Sequence, residues 1–175
     1  MTHVNGDAVE SWGEAVLSKS KSRKRSAGLL AYRRRAGLIE VFLVHPGGPF
    51  WAGKDDGSWS IPKGECSEGE EGIDAAVREF SEETGFYVDA GPFIPLGVAR
   101  QSGGKFVEAW AVEFDLDARK LISNTFVIEW PPRSGRQRRF PEVDRGAWFS
   151  IEGARAKLLK GQHRFLDQLM KAVRA

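Results

Sequence analysis

The sequence contains a strongly acidic segment, GECSEGEEGIDAAVREFSEETGF, which runs from Gly64 to Phe86. Eight of its side chains are acids, whereas Arg78 is its single base. The whole chain is mildly basic, with 26 Lys and Arg residues against 24 Asp and Glu residues. Because like charges three and four residues apart repel each other on a helix, something must offset this concentration of acids. Solvent, a basic partner and a bound cation are the candidates.

The segment has the pattern of one amphipathic helix. Ser67 and Glu70 have the spacing of a capping box, which predicts that the helix begins just after Ser67. Gly85 occupies the position of the glycine that commonly ends a helix. Between these ends, apolar residues recur at positions i, i+3, i+4 and i+7 and predict one buried face, formed by Ile73, Ala76, Val77 and Phe80.

Three glutamates lie on the opposite side of this predicted helix. Glu79, Glu82 and Glu83 fall within roughly 100° of one another, so their carboxylates can converge on one point. Oxygen ligands without Cys or His favour Mg²⁺ or Mn²⁺ over Zn²⁺. Arg78 stands four residues after Asp74 and four before Glu82, where ion pairs can stabilise the array. An ordinary solvated acidic face fits the same helical spacing equally well.

The spacing within the segment matches a known signature. The pattern G-x5-E-x7-R-E-U-x-E-E-x-G-U, where U is a bulky apolar residue, is typical of the Nudix (MutT-like) hydrolases. The strand pattern from about residue 26 to residue 175 also resembles this family. Every defined position is filled, by Gly64, Glu70, Arg78, Glu79, Phe80, Glu82, Glu83, Gly85 and Phe86.

The resemblance implies an enzyme that uses water and a divalent metal to cleave a nucleoside diphosphate linked to another moiety. It implies Mg²⁺ or Mn²⁺ as the cofactor and a metal site made by several residues. In this role Arg78 orients Glu79, while Glu70 pairs with Arg78 or helps to hold the loop. The metal ligands implied are Glu79, Glu82 and Glu83, with the carbonyl of Gly64 as a further ligand.

The resemblance leaves open which residue is the general base. Glu79 and Glu82 are candidates within the motif. Glu142, six residues before Trp148, resembles a further family position on a loop before the last strand, although a solvated loop acid fits equally well. Glu108 shares a strand face with apolar residues and is expected either to line the site or, more plainly, to pair with a base.

Several residues are candidates for contacts to the substrate. The stretch from Trp130 to Pro141 contains four bases and no acid, so it can contact an extended polyphosphate, although a flexible basic loop is an equal alternative. Lys63, next to Gly64, can reach a phosphate. The remaining candidates are the bases Arg133, Arg136, Arg138 and Arg139, and the aromatics Phe50, Trp51, Trp59 and Phe140, at least half of which are expected in the core. His45 and His163 are expected to be structural.

The pattern along the chain predicts α/β (α+β) architecture, and the resemblance implies the Nudix fold, a mixed β-sheet between helices (α/β/α). Strands are predicted over 27–34, 38–45, 58–61, 94–101, 106–114, 124–130 and 147–150, followed by one or two helices. We expect a Nudix domain over 26–175, with its motif at 64–86. Residues 1–25 are expected to be a partly flexible, basic leader, in which 9–16 have weak helical periodicity and 19–25 form a basic run.

Composition narrows the class of protein. Hydrophobic content of 41% and charged content of 29% are typical of one globular domain. The apolar runs are too short for a membrane span, and the start lacks the apolar region of a signal peptide. A single cysteine, Cys66, excludes an internal disulfide and suits a reducing cytoplasm. A net charge of +2 does not by itself indicate a nucleic-acid binder.

The expected activity is Mg²⁺-dependent hydrolysis of a nucleotide polyphosphate, with diadenosine polyphosphates or nucleoside triphosphates favoured. The region ARQSGGKF (99–106) lacks the Pro and Tyr markers of two better-defined Nudix groups. The alternatives are a nucleotide-sensing or RNA-associated module that binds without turnover, and removal of pyrophosphate from the 5′ end of RNA. The sequence carries no signal for an oligomeric state.

Overall fold

The structure is a computed structural model that describes residues 25–174. The predicted leader therefore lies outside the described residues, apart from Arg25. No helix within 25–174 is long and apolar enough to cross a membrane. The described part contains eight strands and three helices: β1 (Arg25–Arg35), β2 (Leu38–Pro46), β3 (Lys63–Glu65), α1 (Gly72–Thr84), β4 (Ile94–Arg100), β5 (Phe106–Glu113), β6 (Thr125–Glu129), β7 (Gln137–Pro141), β8 (Val143–Ser150), α2 (Ile151–Lys157) and α3 (His163–Arg174).

The main sheet is mixed, with the strand order β4-β5-β1-β2-β8. β1 and β5 are parallel, whereas the pairs β4–β5, β1–β2 and β2–β8 are antiparallel. β5 is flanked on both sides by other strands, which agrees with its run of apolar residues on both faces. β6 and β7 form a separate two-stranded sheet, which we call the basic hairpin (residues 125–141).

Residues 60–65, which we call the inserted segment, fill the gap where β1 and β2 separate. Residues 26–28 pair with β3, whereas residues 32–35 pair with β2. Between these pairings, the N–H of Leu29 donates to the carbonyl of Pro62 at 3.0 Å. The predicted strand over 58–61 is reduced to isolated bridges at Trp59 and Ser60, and the strand of this segment, β3, begins at Lys63 instead, where it pairs with β1. The inserted segment carries Lys63 and Gly64 to the edge of α1.

Alternating side chains on the central strands build two core layers. Leu30 and Leu43 point to the side covered by α2 and α3, whereas Leu29 and Phe42 point to the side covered by α1. All four side chains are fully buried. Each contributes about 1.5–3 kcal/mol through removal of apolar area from water. The predicted α/β/α arrangement of a mixed sheet between helices is confirmed.

The acidic helix begins later than predicted. α1 starts at Gly72, after Glu71 as its N-cap, and not just after Ser67. The N–H of Ser67 does donate to the Glu70 carboxylate at 2.8 Å, but Gly69 adopts φ = 75° in the turn between them and interrupts any helix there. The predicted end is confirmed, since Gly85 adopts the left-handed conformation with φ = 77°.

The buried face of α1 is rotated slightly from its predicted position. Ala76 and Phe80 are fully buried as predicted, whereas Ile73 and Val77 are only half-buried. Gly72 and Ala75 face the sheet in their place. Gly72 is needed there because a Cβ would lie 2.6 Å from the Trp110 ring.

Part of the basic stretch after Trp130 forms a strand. The expectation of a flexible basic loop therefore does not hold for residues 137–141. Residues 137–141 form β7 and pair in antiparallel register with β6. Both strands alternate, so that Phe126 and Phe140 lie directly opposite each other with ring centroids 6.1 Å apart. Cross-strand aromatic packing stabilises this hairpin outside the main sheet.

Candidate active site

One cleft collects most of the predicted site residues. Its volume is about 450 Å³, and it lies where the inserted segment, α1 and the base of the basic hairpin meet. Five glutamates line it: three from α1, Glu65 from β3 and one from the loop between β7 and β8. The lining residues are Pro46, Gly47, Trp51, Lys63, Gly64, Glu65, Glu79, Glu82, Glu83, Phe126 and Glu142.

Arg78 organises the acidic side of this cleft. Its Nε and Nη2 donate to the two carboxylate oxygens of Glu70 at 2.8 and 2.9 Å. Its Nη1 donates to Glu79 at 2.7 Å and to Glu82 at 3.2 Å, and its Nη2 also donates to the carbonyl of Glu65. These bonds from Arg78 lower the pKa of Glu70 to about 2. The planar guanidinium thus fixes carboxylates that would otherwise repel one another.

Arg78 does not bind every acid that the helical spacing offered. The pair with Glu82 is present, but within residues 25–174 no ion pair joins Arg78 to Asp74. Glu70 takes the place of Asp74, because the turn before α1 folds its carboxylate back onto the guanidinium.

Glu83 is a cleft carboxylate whose pKa is strongly raised. Its Oε2 accepts a hydrogen bond from the N–H of Lys63 at 3.0 Å. The pKa of Glu83 is raised to about 8: burial is the main cause and the nearby Glu79 and Glu142 add to it, while the Lys63 charge and N–H oppose the shift. Such a group gains most from a cation placed beside it, because a cation stabilises its ionised form.

Gly64 leaves room for a carboxylate. A Cβ at this position would overlap the carboxyl group of Glu79. The backbone of Gly64 therefore lies against Glu79 at a distance that no other residue permits. This close approach explains the glycine at the first defined position of the motif.

Glu142 is held in place through its backbone. Its N–H donates to the carbonyl of Asn124 at 2.8 Å, and its carbonyl accepts from the N–H of Gly47 at 2.9 Å. Partial withdrawal of the carboxyl from water raises the pKa of Glu142, and the charges of Glu79 and Glu82 add to this shift. Within residues 25–174 its carboxylate has no hydrogen-bond or ion-pair partner, in contrast to the three glutamates of α1.

The base of the hairpin is joined to the end of α1. The N–H of Asn124 donates to the carbonyl of Glu82 at 2.8 Å, and the N–H of Ile122 donates to the carbonyl of Thr84 at 3.0 Å. These bonds satisfy carbonyls that the last turn of a helix leaves without partners. They also fix the position of Glu142 relative to the helix, because Asn124 contacts both.

The donor set of the cleft fits a hard divalent cation. Carboxylates and one available backbone carbonyl are the ligands that Mg²⁺ and Mn²⁺ prefer. Within the described part of the chain, no three acidic, His or Cys side chains already converge closely enough to hold an ion. Glu79 and Glu82 are instead bonded to Arg78, and Glu83 to Lys63. The carboxylates thus line one cleft without forming a preassembled ligand cage.

The aromatic candidates divide between the cleft and the core. Trp51 lines the cleft, with the Lys54 ammonium 4.9 Å from its ring centroid. Phe50 lies outside the cleft lining, largely exposed, and packs edge-on against Trp130 at 5.3 Å. Trp59 belongs to the core. Phe140 packs beside Phe126 on the same face of the hairpin but is not among the residues that line the cleft.

None of the arginines of the basic hairpin is among the residues that line the cleft. Arg138 is opposite Ile128 and shares a face of the hairpin with Phe126, which lines the cleft. Arg139 lies on the opposite face, where its Nη1 donates to Thr125 at 3.1 Å. Arg136 precedes β7, at the exposed end of the hairpin.

Four residues of the cleft lining were not among the predicted site residues: Pro46, Gly47, Glu65 and Phe126. Phe126 forms part of the wall, and Gly47 supplies the N–H that holds Glu142. The alternation of TFVIE indicates a half-buried strand but not what it covers. Glu108 contributes to no cleft wall and pairs with Arg25 at 3.6 Å, which is the plainer of its two expected roles.

Comparison with known proteins agrees with this geometry. The family model of the NUDIX domain matches residues 22–169. An RNA pyrophosphohydrolase from Rhizobium meliloti (strain 1021) is 26% identical over 159 residues, which cover 77% of this chain and 90% of that protein.

Solved structures share the fold. The C. elegans Ap4A hydrolase binary complex has a TM-score of 0.61 and 21% identity, covering 85% of this chain and 98% of its own. The NUDIX domain of Shewanella oneidensis NrtR, complexed with ADP ribose, has a TM-score of 0.59 and 15% identity over 88% of this chain and 90% of its own. Since the family match spans most of the sequence, the chain belongs to the Nudix family and is a hydrolase of pyrophosphate bonds.

Proposed function

We propose that the chain hydrolyses a pyrophosphate bond in a nucleotide polyphosphate, a diadenosine polyphosphate or a nucleoside triphosphate, with Mg²⁺ or Mn²⁺ as the cofactor. One observation carries the proposal: five glutamates and the aromatic residues Trp51 and Phe126 line the same cleft. The acids suit a cation that binds phosphates, and the aromatics suit a nucleobase. The similarity of fold to an Ap4A hydrolase supports this choice of substrate.

Glu79, Glu82, Glu83 and the Gly64 carbonyl would hold the metal. When bound, the metal neutralises phosphate oxygens and lowers the pKa of a coordinated water. Arg78 keeps Glu79 and Glu82 oriented through its three carboxylate contacts. Lys63 lies at the cleft wall, where its ammonium can bind a phosphate oxygen.

Glu142 is the best-placed general base among the three candidates. Glu79 and Glu82 are both engaged by hydrogen bonds from Arg78, whereas the carboxylate of Glu142 has no such donor among residues 25–174 and can take a proton from the attacking water. Its raised pKa also favours proton acceptance near neutral pH. The attacking water gives its proton to Glu142 as its oxygen bonds to phosphorus and the bridging P–O bond breaks.

We expect Glu142→Gln to lower kcat about 50-fold, since general bases contribute typically 10²–10⁴-fold and other carboxylates are close by. The change should also remove the acidic limb of the pH–rate profile. Steady-state kinetics from pH 5 to 9 measure both effects. An unchanged kcat would assign the base to another residue.

A panel assay tests the proposed activity. Purified protein in Mg²⁺ is incubated with diadenosine tetraphosphate, ATP, ADP-ribose and a 5′-triphosphorylated RNA, and the products are separated by chromatography. The proposal expects the first two to be cleaved fastest. Absence of product from all four substrates would refute it.

A second candidate activity is removal of pyrophosphate from the 5′ end of RNA. Two observations favour it: the similarity to an RNA pyrophosphohydrolase, and exposed arginines on both faces of the basic hairpin. An RNA chain extends beyond the cleft, so its phosphates can contact arginines that face outward from the hairpin. A free nucleotide does not reach these arginines. Faster cleavage of the triphosphorylated RNA than of the dinucleotide would support this alternative.

Two neighbouring arginines provide a matched pair of variants. We expect Arg138→Gln to raise KM for the free nucleotide roughly five- to tenfold, because it loses a charge-assisted bond on the cleft side of the hairpin. Arg139→Gln should change this KM less than twofold, since it lies on the other face. Equal effects of the two changes on the free nucleotide would contradict the assignment of faces.

A further inference from the structure

His45 lies at the end of β2, outside the cleft lining, and the mechanism does not use it. Its side chain is 1% exposed. Its Nδ1 lies 2.8 Å from a carboxylate oxygen of Asp144, and its Nε2 lies 2.7 Å from the carbonyl oxygen of Lys54. Both ring nitrogens are therefore within hydrogen-bond distance of an oxygen atom, and the His45 ring bridges two chain segments.

The two partners belong to different parts of the molecule. Lys54 lies on the turn over residues 47–57, which carries the cleft residue Trp51. Asp144 lies on β8, which pairs with β2. The His45 ring thus connects an irregular turn to the main sheet.

Lys54 links His45 to Trp51, because its backbone bonds to both residues. The N–H of Lys54 donates to the carbonyl of Trp51 at 3.0 Å, and the Lys54 ammonium lies over the Trp51 ring. The carbonyl of Lys54 is in turn held by His45. Fixing the Lys54 peptide therefore restricts the orientation that Trp51 presents to the cleft.

The rest of the turn has other anchors. Asp55 accepts from Trp59 Nε1 at 2.8 Å and from the Lys157 ammonium at 2.6 Å. Glu142 is held by its own backbone bonds to Asn124 and Gly47. Loss of the His45 contact should therefore act mainly on Trp51, because the bond from the Glu142 N–H to Asn124 lies outside the turn.

We propose that His45 is a positioning residue, which orients Trp51 for recognition of the nucleobase by fixing the Lys54 peptide. This inference rests on the proposed function, since it concerns the same cleft. The proposal separates the binding of two parts of the substrate. Binding of the nucleobase depends on His45 through Trp51, whereas binding of the polyphosphate depends on the glutamates.

The test compares a nucleotide with inorganic tripolyphosphate, which has no base. His45→Leu should raise KM for the nucleotide about tenfold, with KM for tripolyphosphate changed less than twofold. Trp51→Ala should have the same pattern, and the double variant should show no further rise, because both changes remove one interaction. His163→Leu is the matched control, since His163 contacts only the carbonyl of Leu158 among the described residues and lies far from the turn in the sequence.

A readout independent of turnover accompanies the kinetics. Amide hydrogen exchange should rise in residues 47–57 of His45→Leu and stay unchanged in α1. If wild-type protein cleaves no substrate but this local rise occurs, the proposed function fails while the tie through His45 stands. Equal KM changes for both substrates, multiplied effects in the double variant, or unchanged exchange in residues 47–57 would overturn the inference.

Discussion

Glu83→Gln is expected to lower kcat by about 10³-fold while the protein stays folded. Glu83 lines the cleft with its carboxylate partly withdrawn from water, and the amide keeps its shape and its bond to the Lys63 N–H. What it loses is the negative charge that a divalent cation requires, and charge stabilisation of this kind typically accounts for several kcal/mol of the barrier. Initial rates at saturating Mg²⁺, with circular dichroism as a fold check, measure the effect.

The same change should stabilise the metal-free protein at high pH. Because burial raises the pKa of Glu83 from 4.5 to about 8, the folded state retains a proton between these values that the unfolded state has lost. The free energy of unfolding of wild-type protein therefore falls as pH rises from about 5 to 8. Gln cannot ionise, so at pH 8 the variant should be more stable by roughly 1–3 kcal/mol, and the difference should vanish near pH 5.

Glu71→Gln is the matched control for both effects. Glu71 belongs to the same acidic segment, but it is exposed and its side chain makes no capping bond. We expect unchanged kcat and a stability difference below about 0.5 kcal/mol. A wild-type kcat in Glu83→Gln, or an equal loss of kcat in Glu71→Gln, would show that Glu83 has no special role in catalysis.

Gly64→Ala is expected to lower kcat/KM by at least about 10²-fold, because the added methyl group overlaps the carboxyl of Glu79. Either Glu79 swings away or the inserted segment shifts, and a displacement of 1 Å at a reacting centre can reduce the rate by 10²-fold. The substitution removes no functional group and adds no charge. Its effect would therefore report on the close approach alone.

Gly153→Ala is the control for this prediction. Gly153 lies in α2, where the nearest atom to a new Cβ is the Ser150 hydroxyl at 3.3 Å, and its φ is compatible with alanine. Its kcat/KM should stay within twofold of wild type. Similar losses in both variants would point to general destabilisation, which thermal unfolding of the two proteins can separate from a local effect.

The sequence was most informative where the chemistry is concentrated. The motif placed Glu79, Glu82 and Glu83 on one helix opposite its buried face, and the structure brings all three into one cleft. Gly85 ends the helix as expected because its left-handed conformation is a local property. Both features depend on residues within one helical turn of each other, so local patterns suffice to predict them.

Features that depend on distant contacts were harder to predict. The capping-box spacing of Ser67 and Glu70 predicted the wrong helix start, since Glu70 turns back towards Arg78. The role of Phe126 depends on which face of the hairpin covers the cleft. The register of β6 against β7 also separates Arg138 from Arg139, although the two are adjacent in the sequence. The pairing that decides these positions spans residues 125–141 and is not encoded in any short motif.

The most direct test of the cation-dependent cleft is a Mn²⁺ titration of the protein followed by electron paramagnetic resonance, in wild type, Glu83→Gln and Glu71→Gln. If the cleft glutamates hold the catalytic metal, wild type and Glu71→Gln should bind Mn²⁺ with the same affinity, and a nucleotide should tighten it. Glu83→Gln should bind at least about tenfold more weakly. Equal Mn²⁺ affinity in Glu83→Gln and wild type would contradict the assignment of the metal to this cleft.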